Sequence, residues 1–242
     1  MLKLGIQLYA VRDHFFKDMA GTLAQLKKIG YDEVEGFWIY PCRAAELDAM
    51  LKDNGLTMCG WHTGLDHLEG DKLFATLEYH DRIGNKILGL NAGADMLDTP
   101  DKVKQLRDRM IAVQENISKY GFTLEYHNHW WEFEGSVPYN ALMDDSPVFA
   151  QLDTGNALKG GVNAMNYFRR HEGRHIAVHA KPYSLQNGFD CIIGHDDVPW
   201  KEIIAYCRKK GIEHLTVEYA QHTGQMELAK SNFDALKALL DN

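Results

Sequence analysis

Residues 3–12 read KLGIQLYAVR. The first half is the short apolar run of a buried strand. The second half decides between two architectures. A doubly wound open sheet usually carries a G-x-G-x-x-G phosphate loop directly after its first strand. Here Gln7, Leu8, Tyr9, Ala10, Val11 and Arg12 occupy that place. The open sheet therefore loses to a closed barrel, and the rest of the chain agrees. Strand-like runs start near Lys3, Asp32, Thr57, Lys86, Phe122, Val148, His175 and His214. They recur about every 30 residues, the size of one strand–helix unit. Eight such units in 242 residues predict a (β/α)8 TIM barrel filling 1–242 as a single domain.

Helical patterns lie between the strands. Asp18 to Ile29 has apolar residues at helical spacing and Gly30 as its stop. Pro41 is expected to open the next helix, with Leu47, Met50 and Leu51 on its apolar face and Gly55 at its end. Further helices are expected over Asp71–Ile83, Pro100–Tyr120, Pro199–Lys210 and Gln225–Leu240.

Composition narrows the function classes. Apolar residues make up 45% and charged residues 25%, enough for a large core. Lys plus Arg number 26 against 34 Asp plus Glu, a formal charge of −8 that disfavours nucleic acid as a partner. No apolar run approaches the ~18 residues of a membrane span. The first residues lack the features of a signal peptide. The four cysteines, Cys42, Cys59, Cys191 and Cys207, form no C-x-x-C and read as reduced thiols. Together these features predict a cytoplasmic protein with no membrane partner. A homo-oligomer is compatible with them.

In a barrel the active site is built at the C-terminal ends of the strands. Glu35, His62, Asp153 and Glu218 are expected there. The fifth strand brings Glu125, His127 and His129, and the seventh brings His179 and Lys181. Glu125 and His127 are two residues apart and share a face, as do His179 and Lys181. A single strand-end carboxylate is as readily a helix cap. Several converging on one mouth suit a divalent cation, with Mn²⁺, Mg²⁺ or Co²⁺ ahead of Zn²⁺. His14, His80, His171 and His214 read as surface or packing residues. Trp130 and Trp131 read equally well as a stacking floor for a sugar and as packing beneath a loop.

Several stretches, taken in order, resemble the sugar phosphate isomerase/epimerase family, the xylose isomerase-like barrels. They are residues 3–12, GWHTGLD at 60–66, LEYHNHWWEF at 124–133, QLDTG at 151–155, VHAK at 178–181 and Val217-Glu218. Relatives include ketose 3-epimerases, hydroxypyruvate isomerase, inosose dehydratase and endonuclease IV. The resemblance implies a metal held by Glu125, Asp153, His179 and Glu218, with Mn²⁺ the first choice. It also implies that Glu125 and Glu218 move protons on opposite faces of the substrate.

This chain departs from the family in three places. Many relatives carry a small residue where Glu125 stands, which makes Glu132 the alternative fifth-strand ligand. Asn156 replaces a common His or Trp, and the loop GHDDVPW at 194–200 is altered in detail.

The function expected is a metal-dependent sugar isomerase or epimerase. Its substrate is a keto- or aldo-sugar, or an inosose-like polyol. The reaction abstracts a proton next to a carbonyl, with the metal stabilising the enediolate. Glu35, His62, His127, Glu132 and Lys181 would bind substrate or relay protons. The same opening step serves a dehydratase or lyase acting on a keto-inositol or 3-keto-glycoside. Two further readings are a carbohydrate-binding barrel without catalysis and an endonuclease IV-like nuclease.

Overall fold

Strands of four to six residues bury their apolar outer faces only by pairing side by side beneath a layer of helices. In the computed structural model, which describes residues 2–241, they do so in chain order. The strands are Lys3–Gln7 (β1), Glu33–Phe37 (β2), Thr57–His62 (β3), Ile87–Leu90 (β4), Thr123–His127 (β5), Phe149–Asp153 (β6), Ala177–Ala180 (β7) and His214–Val217 (β8). All pairs are parallel, and β8 closes on β1 through Lys3 opposite His214 and Ile6 opposite Val217. The (β/α)8 barrel expected from the spacing is the observed architecture.

The helices are Arg12–Lys17 (α1), Met19–Ile29 (α2), Ala44–Asn54 (α3), Leu73–Arg82 (α4), Pro100–Ile117 (α5), Pro138–Met143 (α6), Thr154–Lys159 (α7), Ala164–Arg170 (α8), Trp200–Lys210 (α9) and Gln225–Asp241 (α10). Asp18 caps α2 by accepting from the Gly21 N–H at 2.9 Å. Thr99 caps α5 ahead of Pro100. Pro41 does not open α3. That helix starts three residues later behind Arg43, whose N–H is taken by Glu46. The short helices α1, α6, α7 and α8 carry too little periodic pattern to be legible in the sequence.

The outer faces of the strands are apolar. Ile6, Val34, Leu88, Leu124, Leu152, Val178 and Leu215 are wholly covered. The inside is polar, and this is unusual for a barrel, whose interior layers are ordinarily branched aliphatic side chains. Gln7, Glu35, His62, Glu125, His127, Gln151, Asp153, His179 and Thr216 are all buried.

One irregularity decides which way His62 faces. Between β2 and β3 the register shifts, so that Val34 pairs Met58 while Glu35 pairs Gly60. Cys59 is the extra residue. Its thiol reaches toward Thr216 across the barrel at 3.8 Å. Without it, strict alternation would turn Trp61 inward and His62 outward. With it, Trp61 packs outside against Tyr40, Tyr79 and His80, and His62 enters the barrel.

Candidate active site

Asp153 is the last residue of β6 and also the N-cap of α7. Its Oδ1 accepts the Asn156 N–H at 2.7 Å. The cap reading and the ligand reading thus fall on different oxygens of one side chain. The buried Oδ2 has no hydrogen-bond partner among the described residues. Lys181 Nζ stands 3.8 Å from it and His127 Nε2 3.9 Å. Asn128, just past β5, fixes the Asp153 backbone by accepting its N–H at 2.9 Å. Gly155 lets α7 close on the end of β7, since a Cβ there would meet the Lys181 carbonyl oxygen at 2.7 Å.

Around that oxygen, His127, Asp153, His179 and Glu218 each place one donor atom within 4.8 Å of the others, and all four are buried. Glu218 comes directly after β8. Its Oε2 lies 2.7 Å from His179 Nδ1, and its Oε1 accepts from Lys181 Nζ at 2.7 Å. Burial alone would push the Glu218 carboxyl up. Lys181 and the hydrogen bond from His179 overcome this and hold it well below the usual range. Asp153 is raised to about 6, because burial outweighs the nearby Lys181. His127 is lowered well below an ordinary histidine, by burial first and then by His179. A buried carboxylate oxygen without a partner, among nitrogen and oxygen donors in reach of one another, fits a divalent cation.

The remaining candidates lie at other depths. Glu125 is inside the barrel, one alternation step below His127, and stands outside the four-residue group. Its Oε1 accepts from Gln151 at 2.6 Å, and its Oε2 has no partner among the described residues. Burial, then the Glu35 charge, raises its carboxyl well above the ordinary range. Burial thus favours its protonated form. Glu132 is also outside the group. It is turned onto the Tyr126 hydroxyl and the His129 N–H, both at 2.9 Å.

Glu35 is mid-strand, below the mouth, and wholly covered. His62 bonds Gln151 at 2.7 Å through Nε2. Space for its ring exists because residue 89 is glycine: a Cβ there would come within 2.5 Å of the ring. Lys181 joins Glu218 at the mouth. His129 leaves the barrel and stacks on Trp131 at 4.2 Å. Trp131 Nε1 donates to the Ala92 carbonyl, so this tryptophan packs beneath a loop.

Sequence reading overlooked the amides Gln7, Asn128 and Gln151, which hold the carboxylates in place. The inward alternation of β1 and β6 was the signal available for Gln7 and Gln151. It also overlooked Trp38. That residue comes directly after β2 at φ 26°, strained for a non-glycine, and is 45% exposed beside His62.

No family model and no curated protein matches the sequence. Solved structures match over the whole barrel. A sugar phosphate isomerase/epimerase from Parabacteroides distasonis is 21% identical with a TM-score of 0.81, covering 96% of each chain. A probable 3-DHS dehydratase from Bacillus anthracis, AsbF, is 14% identical with a TM-score of 0.73, over 98% of this chain and 99% of that one. A xylose isomerase-like TIM barrel protein from Mycobacterium smegmatis, in complex with magnesium, is 14% identical with a TM-score of 0.71, over 100% and 97%. The barrel is shared too by a family 2 AP endonuclease from Brucella melitensis, 13% identical with a TM-score of 0.71, over 94% and 96%. The chain has the fold of the sugar phosphate isomerase/epimerase and xylose isomerase-like barrels.

Proposed function

We propose that the protein is a divalent-metal-dependent isomerase or epimerase of a keto- or aldo-sugar, or of an inosose-like polyol. The observation that carries this reading is the buried group of His127, Asp153, His179 and Glu218 at the barrel mouth. These four residues would hold the cation, with Mn²⁺ the first ion to load and Mg²⁺, Co²⁺ or Zn²⁺ the alternatives. Such an ion supplies a Lewis acid that polarises a carbonyl and stabilises negative charge on its oxygen.

The chain's own residues do the rest. Glu218 takes the proton from the carbon next to the carbonyl. Lys181, 2.7 Å away, keeps that carboxylate ionised and offers a positive charge to an oxygen at the mouth. The burial of these groups excludes water and strengthens both effects. Glu125 was expected to be the opposite-face partner of Glu218. It lies deeper, and burial favours its protonated form, so Lys181 is the group left at the mouth to return the proton.

Elimination is the second reading. One glutamate at the mouth suffices for abstraction followed by loss of a leaving group, and a neighbour in fold bears a dehydratase name.

Metal content, measured on protein purified without chelator or affinity metal, tests the first step. About one divalent ion per chain is expected in wild type, lost in both Asp153→Ala and His179→Ala. No ion, and none taken up from added Mn²⁺ or Co²⁺, sinks the reading in favour of a binding barrel. Three zinc ions would point to nuclease chemistry. Product analysis then separates the two enzyme readings: release of water or aglycone from a 3-keto-glucoside selects elimination.

A further inference from the structure

We infer that Glu35 is a positioning residue, which accepts the Nε2 proton of His179 and so presents Nδ1 to the cation site. This rests on the proposed cation and assigns Glu35 a role other than substrate binding. The His179 ring lies between two carboxylates. Nε2 is 2.8 Å from Glu35 Oε2, and Nδ1 is 2.7 Å from Glu218 Oε2. Glu218, on the Nδ1 side, belongs to the four-residue group at the mouth, and His179 is also within reach of His62 and His127. The Glu35 side faces the barrel interior, where Glu35 is 0% exposed and no substrate reaches.

Glu35 is itself tightly held. Gln7 Nε2 donates to Oε2 at 2.9 Å, and Gln151 Nε2 donates to Oε1 at 2.6 Å. These amides come from β1 and β6, while Glu35 and His179 come from β2 and β7, so four strands fix one ring. Room for the carboxylate exists because its partner in β3 is Gly60, where a Cβ would stand 3.0 Å from Oε1.

The choice of a carboxylate matters. An ionised carboxylate only accepts; once a cation takes up the Glu218 side, Glu35 is the carboxylate left to receive the ring proton, on Nε2, and the Nδ1 lone pair faces the cation. A glutamine of the same shape offers an N–H as well. It permits the other tautomer, with the proton on the nitrogen that should bind metal. The negative charge of Glu35 also makes the ring a stronger donor, the usual work of a carboxylate behind a metal-bound histidine.

The test is Mn²⁺ titration of wild type and Glu35→Gln by calorimetry, with the fold of each checked by circular dichroism. Affinity in the variant should fall about 10- to 100-fold. A folded variant that binds Mn²⁺ within twofold of wild type overturns the inference while leaving the cation site standing. Wild type that binds no ion overturns the cation site itself. A second measurement needs no foldable variant. Long-range proton–nitrogen NMR on Zn²⁺-loaded wild type, with His179 assigned by its absence in His179→Gln, should show the proton on Nε2. A proton on Nδ1, with Nε2 bare, rejects the assignment.

Discussion

The two ends of the barrel handle buried charge in opposite ways. At the N-terminal end, Glu33 receives Lys3 Nζ at 3.1 Å, His214 Nδ1 at 2.6 Å and Thr57 Oγ1 at 3.3 Å. Both of its oxygens are engaged, and basic partners lie on two sides. In the C-terminal half, four carboxylates (Glu35, Glu125, Asp153 and Glu218) and four basic side chains (His62, His127, His179 and Lys181) crowd together, yet Asp153 Oδ2, Glu125 Oε2 and His127 Nδ1 have no partner among the described residues. Fully partnered charge is what a stabilising cluster needs. Polar atoms left over in a buried site are what a ligand needs. The contrast matches the division of labour between the two faces of such barrels.

Substitutions at the mouth should therefore affect chemistry and metal, and those at the base should affect stability. The largest effect is expected for Glu218→Gln, which should lower turnover about 10²- to 10⁴-fold with circular dichroism unchanged. Undiminished turnover would remove Glu218 from the reaction.

Asp153→Ala comes next. It should abolish the bound ion, seen by mass spectrometry. It should also cost about 1 kcal/mol in a denaturant melt through loss of the α7 cap. Retention of a full equivalent of metal would break the comparison at its centre.

Metal uptake should depend on pH in a stated direction. Burial raises Asp153 to about 6, and a cation competes with its proton. Mn²⁺ affinity should rise with pH through that value and weaken below it. A flat profile between pH 5 and 7, taken as a range of about one unit either side, would argue against Asp153 as a ligand.

At the base, Glu33→Gln should cost about 2 kcal/mol and leave Mn²⁺ binding alone. Burial pulls the Glu33 carboxyl up, but His214 and Lys3 outweigh it and hold it below the ordinary carboxylate range. The folded state therefore prefers the ionised form. The extra stability is fully present above the unfolded pKa and is lost as pH falls through the lowered folded value. Melting curves of wild type and variant should accordingly converge below about pH 4.

Glu125→Gln should do least. Burial favours the protonated form of the native group, and the amide keeps an acceptor for Gln151. Stability should change by no more than about 1 kcal/mol, with Mn²⁺ affinity within twofold. A collapse in affinity would instead restore Glu125 as the ligand implied by family resemblance, and would displace His127.

Much of this was legible in the sequence. Eight strand signals at even spacing, without a phosphate loop after the first, specify the closed barrel. The inward positions of β6, β7 and β8 identify Asp153, His179 and Glu218 as neighbours. What failed was depth. Alternation puts Glu125 and His127 on one face, but says nothing of which stands level with Asp153. The side-chain contacts answer that: His127 Nε2 stands 3.9 Å from Asp153 Oδ2, while Glu125 bonds Gln151. Glu35 looked like a strand-end residue, but β2 runs on to Phe37 and leaves it below the mouth. Proline misplaced the start of α3 because it signals a boundary without specifying its residue.

The sequence by itself determined the repeat, the alternation of the strands and the chemistry of the polar groups they carry. These depend on local periodicity and residue chemistry. Only the tertiary structure decided the register: the extra residue at Cys59 that turns His62 inward, and the stagger that lifts His127 to Asp153 and leaves Glu125 beneath. Register arises from pairings between distant segments, and one residue of slip exchanges the inside for the outside.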